Sequence, residues 1–174
     1  GTLNRSMMKW ISEGCPGGER LEVLWQCGKY YKKSVDEFMK KAESEGLGGK
    51  ALAGVRPMDF IGRMDLAYAV ADAVVSRSGA SSVSELCACG KAAIFVPSPN
   101  VAEDHQTHNA MALVKEGAGM LVKDSEAPEK LMSTACALLD DPRKIGDMER
   151  NALKLARPDA AQSIVDEIYK NLTL

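Results

Sequence analysis

The chain has 174 residues, 45% of them hydrophobic and 26% charged, which is the size and composition of one globular domain with one core. Its 22 basic and 24 acidic residues are interspersed and sum to a formal charge of -2, so no basic stripe is available to meet a nucleic acid, and that partner class is excluded. No apolar run approaches the roughly 20 residues of a membrane-spanning helix, and the first residues do not read as a signal peptide, which predicts a soluble domain.

Leu3, Met7 and Ile11 recur at helical spacing and mark an amphipathic helix at the start. A strand is predicted over 21–27. Val35, Phe38, Met39 and Ala42 then mark a second helix, with Ser34 and Glu37 spaced as its capping box. Further short strands are predicted over 51–57, 73–76, 92–97 and 119–122, separated by helices over 64–71, 82–88 and 106–115. The tail reads as three helices, 128–139, 142–156 and 160–172, with Pro128 and Pro142 at first-turn positions where a missing N–H does no harm.

Short strands alternating with longer helices describe an α/β domain, 1–174, with a Rossmann-like open parallel sheet and helices on both faces. Such a sheet normally begins on a central strand whose glycine-rich turn feeds the first helix, whereas this chain opens on the helix itself. The first central strand is therefore expected to be absent from the chain. The five cysteines, 15, 27, 87, 89 and 136, are odd in number and lack paired metal-ligand spacing, and they read as reduced thiols of a cytosolic protein.

Three segments carry candidate chemistry. The run Ser76-Arg77-Ser78-Gly79-Ala80-Ser81-Ser82-Val83-Ser84-Glu85 leaves a predicted strand, turns on small residues and enters a helix. Ligands of open parallel sheets sit beyond the carboxyl ends of the strands, and free amides at a helix start suit a phosphate or pyrophosphate. Gly79 and Ala80 allow close approach, Ser81 and Ser82 add hydroxyls, and Glu85, one turn on, has a carboxylate suited to both hydroxyls of a ribose. Ser82 and Glu85 also have the spacing of an ordinary capping box, which needs no ligand.

The second segment, Pro97 to Ala110, crosses a Pro-rich loop and enters a helix carrying His105, Gln106 and Asn109, side chains that both donate and accept as sugar hydroxyls require. The alternative is that Asp104 caps this helix and the histidines are solvated. The pair His105 and His108 has no third ligand nearby, and no metal site or other cofactor is expected. The third segment, Phe60-Ile61-Gly62-Arg63-Met64, joins apolar side chains to free backbone groups, a combination suited to a flat base or simply to a core.

In this order and at these separations the three segments resemble the carboxy-terminal domain of the MurG glycosyltransferase family. The most specific parts are the Ser-Arg-Ser-Gly-Ala turn with Glu85 behind it, Phe95-Val96-Pro97, and the run from Asp104 to Ala110. The resemblance covers nearly the whole chain. It implies the donor-binding half of a GT-B glycosyltransferase, two Rossmann-like domains facing across a cleft, that moves N-acetylglucosamine from UDP-GlcNAc to undecaprenyl-pyrophosphoryl-MurNAc-pentapeptide with inversion.

By that resemblance Phe60, Ile61 and Met64 border the uracil, and Ser78, Gly79, Ala80, Ser81 and Ser82 cradle the diphosphate. Glu85 holds the ribose, and His105, Gln106 and Asn109 meet the sugar. The lipid-linked acceptor, the membrane contact at the cytoplasmic face and the catalytic base, to which no residue here is matched, belong to an amino-terminal domain that this chain does not contain. The family's Gly-Gly-Ser-x-Gly-Ala loop is a departure, since the chain starts after its position. Alternatives are another nucleotide-sugar enzyme of the same architecture, such as a UDP-GlcNAc epimerase or a lipid-linked sugar transferase, and a stand-alone nucleotide-sugar-binding interaction module.

Overall fold

The computed structural model describes residues 1–172. Its elements run α1 (Thr2–Ser12), β1 (Val23–Gln26), α2 (Lys32–Ser44), α3 (Gly49–Leu52), β2 (Val55–Met58), α4 (Met64–Val70), β3 (Val74–Ser76) and α5 (Ala80–Ala88). They continue through β4 (Ala93–Phe95), a 3-10 turn (Ala102–Asp104), α6 (His105–Lys115), β5 (Met120–Leu121), α7 (Ala127–Leu139), α8 (Pro142–Leu155) and α9 (Ala160–Leu172). All strand pairings are parallel.

The strands form two sheets, β1-β2 and β3-β4-β5. Val23 N donates to Gly54 O and Cys27 N to Met58 O, so the backbone groups of Leu24 and Gln26 point to the opposite edge of β1. By the same logic, Val74 N donates to Ala92 O, and those of Val75 point away from β4. Among the described residues no strand pairs with either of these edges. The expected open sheet is thus divided between β1 and β3.

Strand β4 and its neighbours show why the second half is the firmer one. Ala92, Ile94 and Val96 point to one face and pack with Ala127, Leu131, Ala135 and Leu138 of α7 and with Met148 of α8. Ala93 and Phe95 point to the other face and pack with Leu86 and Cys87 of α5, Ala110 and Leu113 of α6 and Ala152 of α8. A strand buried on both faces has to be continuously apolar, as 92–96 is. A third cluster joins Met7, Trp10 and Ile11 of α1 to Trp25, Val35, Met39, Leu52 and Val55.

That third cluster covers one face of the β1-β2 sheet only. On the other face Leu24 is 41% exposed, and the short helix α4 buries no residue completely, leaving Val70 at 72%. Helices therefore cover both faces of the β3-β4-β5 sheet but leave part of the other half open.

Two local expectations are corrected. The run 51–57 is not one strand: Gly48, at φ 71, turns the chain, and Ala51 and Leu52 are buried from the helical turn α3, so β2 starts at Val55. Pro57 is tolerated in β2 because that strand is an edge. Ser34 does not cap α2, which starts two residues earlier at Lys32; its hydroxyl donates back to Tyr31 O at 2.9 Å. Pro128 and Pro142 both lie in a first turn as expected, Pro128 second in α7 after Ala127 and Pro142 at the start of α8, with the Asp141 carboxylate accepting from Lys144 N. The cysteines are free thiols; Cys87 is buried and Cys89 exposed, as residues two apart on a helix should be.

The carboxyl ends of the strands are tied together by Arg77, which follows β3 directly. Its Nη1 donates to Val96 O at 2.9 Å, to Pro97 O at 3.1 Å and to the Asp124 carboxylate at 2.5 Å. Asp124 in turn accepts from Thr2 Oγ1 at 2.9 Å, which fastens the start of α1 to the same cluster. Arg77→Ala leaves two carbonyls and a largely buried carboxylate without their donor and is expected to cost about 1.5–3 kcal/mol. Urea denaturation should show this as a lower midpoint at unchanged m, with Asp124→Asn milder because the amide oxygen still accepts.

Candidate functional site

Helix α5 begins immediately after the Ser-Arg-Ser-Gly turn, with Gly79 as its N-cap at φ -63, ψ 151 and no side-chain cap. The first amide to find an intrahelical partner is that of Val83, which donates to Gly79 O at 3.0 Å, so the amides of Ala80, Ser81 and Ser82 stand at the helix start without one. The capping box read from Ser82 and Glu85 is not formed, because Ser82 is the third residue of the helix rather than its cap. Glu85 is exposed and its carboxylate is turned elsewhere.

Gly79 has neither a left-handed φ nor a packing neighbour: a Cβ built there meets no atom within 4 Å. The fold does not require glycine at this position. Open space beside three unpartnered amides is what an approaching phosphate needs.

Ser78 faces the other way. It is fully buried, and its hydroxyl donates to Gln106 O at 2.7 Å while its carbonyl accepts from Asn109 Nδ2 at 3.0 Å. Ser98 N, in the Pro-rich loop after β4, donates to Gln106 Oε1 at 2.9 Å, which leaves the NH2 end of that amide as its remaining donor. The turn at 78–80, the loop at 98 and the first turn of α6 are therefore one hydrogen-bonded unit. Asp104 occupies the N-cap position of α6 but caps no amide; its carboxylate accepts the Thr107 hydroxyl at 2.6 Å. Glu103 and Asp104 both have left-handed φ, 52 and 49, a strained entry that puts His105 and Gln106 at the helix start.

The apolar strip lies on the open half. Ile61 lines a shallow groove of about 310 Å3 together with Leu24, Met58, Gly62, Arg63, Leu66, Ala67 and Val70, whereas Phe60 and Met64 are not among the groove's walls. Phe60 is 69% exposed. Ile61 N donates to Gln26 Oε1 at 3.0 Å, so the side chain at the end of β1 holds this loop. A larger cleft of about 580 Å3 is lined by Lys29, Lys32, Lys33, Lys40, Asp36, Glu37 and Asp59. There four lysines face three carboxylates, with Lys32 paired to Asp36 at 2.5 Å, and little net field remains for an anion.

Two contacts at the apolar strip were not anticipated from the sequence: Gln26 on Ile61 holds the strip to the end of β1, and Tyr68 of α4, whose hydroxyl donates to Glu85 Oε2 at 3.2 Å, joins it to the helix-start site. Burial pushes the Tyr68 hydroxyl above the usual tyrosine range, and the nearby Glu85 charge adds to the effect, so Tyr68 stays a donor. Tyr68 and Glu85 are 17 residues apart on different helices, a separation with no sequence signature.

The described residues hold no group of three or more His, Cys, Asp or Glu able to bind a metal ion, and no helix long and apolar enough to cross a membrane. Comparison with known proteins agrees with the architecture. The chain is 46% identical over 169 residues to a protein of Porphyromonas gingivalis named UDP-N-acetylglucosamine--N-acetylmuramyl-(pentapeptide) pyrophosphoryl-undecaprenol N-acetylglucosamine transferase, an alignment covering 97% of this chain and 42% of the relative. A protein of the same name from Bacteroides thetaiotaomicron is 46% identical over 150 residues, 86% of this chain and 38% of its own. A crystal structure of Acinetobacter baumannii MurG superposes with a TM-score of 0.71 at 30% identity, covering 93% of this chain and 46% of that one. The chain thus spans less than half the length of these relatives. Residues 2–164 match the model of the glycosyltransferase family 28 C-terminal domain, and the chain belongs to that family.

Proposed function

We propose that this chain is the donor-binding domain of an inverting glycosyltransferase that transfers N-acetylglucosamine from UDP-GlcNAc to undecaprenyl-pyrophosphoryl-MurNAc-pentapeptide in peptidoglycan synthesis. The observation that carries the reading is the unit built around Ser78. Its hydrogen bonds to Gln106 and Asn109 hold the open helix start at Gly79 beside the polar start of α6, at the carboxyl ends of a parallel sheet. The names of the relatives supply the substrate class and the reaction.

In this reading the diphosphate lies on the amides of Ala80, Ser81 and Ser82, within reach of the two serine hydroxyls, beside the space left by Gly79. The buried Ser78 acts through its bonds to α6 rather than by touching phosphate. Glu85 accepts the ribose hydroxyls, and the uracil lies along Ile61, with Phe60 and Met64 at its border. The Gln106 amide, fixed by Ser98 N, presents its NH2 group to a sugar hydroxyl, and His105 and Asn109 flank it. During transfer, negative charge builds on the departing diphosphate, and preorganised amides at a helix start stabilise that charge without reorganising. The acceptor hydroxyl, its base and the membrane contact belong to the remainder of a longer protein working at the cytoplasmic face of the membrane.

Calorimetric titration of the chain tests this reading. Glu85→Ala should weaken UDP-GlcNAc binding by roughly 10-fold or more, the worth of a hydrogen bond to a charged group. Gln106→Ala should narrow the difference between UDP-GlcNAc and its C4 epimer UDP-GalNAc while leaving UDP affinity nearly unchanged. A well-folded chain that binds no uridine nucleotide would sink the assignment. Gly79→Thr offers a separate check, because threonine caps helices about as well as glycine and the space is open. Its unfolding free energy should stay within about 0.5 kcal/mol of the parent while UDP binding falls, the mark of a residue kept for a ligand.

A further inference from the structure

Glu85 is exposed, and a free glutamate has three side-chain torsions to lose when it grips a ligand. Tyr68 changes that situation. Its ring is partly buried and packs against the cluster formed by Leu86, Phe95 and Ala110, so the hydroxyl projects from an anchored base rather than from a mobile chain. That hydroxyl donates to Glu85 Oε2 at 3.2 Å. A carboxylate has about four acceptor positions, and one donor on Oε2 leaves Oε1 and a lone pair of Oε2 for further donors. A hydrogen bond from one side therefore restricts the carboxylate's rotation without filling it.

The position of Tyr68 in the chain adds to this. It lies one turn after Met64 in the helix that follows the Ile61 loop, so its hydroxyl bond ties the base-side element, α4, to α5. The restraint and the alignment of two binding elements come from one side chain.

We infer that Tyr68 is a positioning residue that holds the Glu85 carboxylate in the orientation that reads the ribose hydroxyls of a uridine nucleotide; this rests on the donor-site reading of Glu85 given above. Tyr68 itself does not touch the nucleotide. Removing its hydroxyl affects the discrimination between ribose and deoxyribose rather than nucleotide binding as a whole.

The test is the affinity ratio of UDP to 2′-deoxy-UDP, measured by calorimetry for the parent chain, Tyr68→Phe and Glu85→Gln. Phenylalanine keeps the ring and its packing, so the fold is retained, and a ratio cancels any shared loss of competent protein. The expected result is a ratio well above one in the parent, roughly three- to tenfold lower in Tyr68→Phe, and near one in Glu85→Gln. If Tyr68→Phe weakens both nucleotides equally or leaves both unchanged while Glu85→Gln collapses the ratio, Tyr68 has only a packing role and the inference is overturned, with the ribose reading intact. If Glu85→Gln leaves the ratio at the parent value, the ribose reading itself fails and takes this inference with it.

Discussion

The guanidinium of Arg77 is the contact on which the rest of this architecture depends. A parallel sheet leaves its carboxyl-end carbonyls pointing out of the ladder, and those of Val96 and Pro97 would be poorly solvated beneath the loop that follows β4. Arg77 meets both, and its charge is balanced by Asp124, which also accepts from Thr2 at the start of α1. One side chain thus joins β3, β4, the segment after β5 and the first helix. Because Ser78 and Gly79 follow Arg77 directly, the helix start is placed by the same anchor that closes the sheet.

The two halves of the fold are unequally supported, and the candidate contacts divide along that line. The helix start and α6 rest on β4, a strand with apolar side chains buried on both faces, and fixed amides acting on charge are effective only when their support does not yield. The apolar strip rests on the half whose outer face is open, beside Leu24 and Val70. Tyr68 of α4 links the two through Glu85, while Gln26 at the end of β1 holds the Ile61 loop within its own half. In the proposed reading this strip takes a flat base, which needs apolar surface and a few backbone groups more than a rigid cage.

Much of the site was legible in the sequence because it is local. The small-residue turn at 78–80, the free amides after it and Glu85 one turn on lie within a single strand-turn-helix unit whose chemistry follows from spacing. The capping box read into the same residues was wrong by the register of one helix start: α5 begins at Ala80, and Ser82 is too deep to cap it. The run 51–57 failed similarly, since apolar residues in a helical turn and in a strand look alike over so short a stretch, and only the left-handed Gly48 separates them.

The sequence by itself determined the α/β class, the order of most elements, the strand at 92–97 and the residues at the carboxyl ends of the strands, because all of these follow from periodicity and local turn chemistry. Tertiary structure alone decided the division into two sheets, the inward turn of Ser78, the engagement of Gln106 and Asn109 with neighbouring backbone, and the contacts of Gln26 and Tyr68. These depend on which edges and helix faces meet across long separations in the chain. No local pattern encodes such a meeting, since a polar side chain takes whatever donor or acceptor the packed backbone brings within about 3 Å of it.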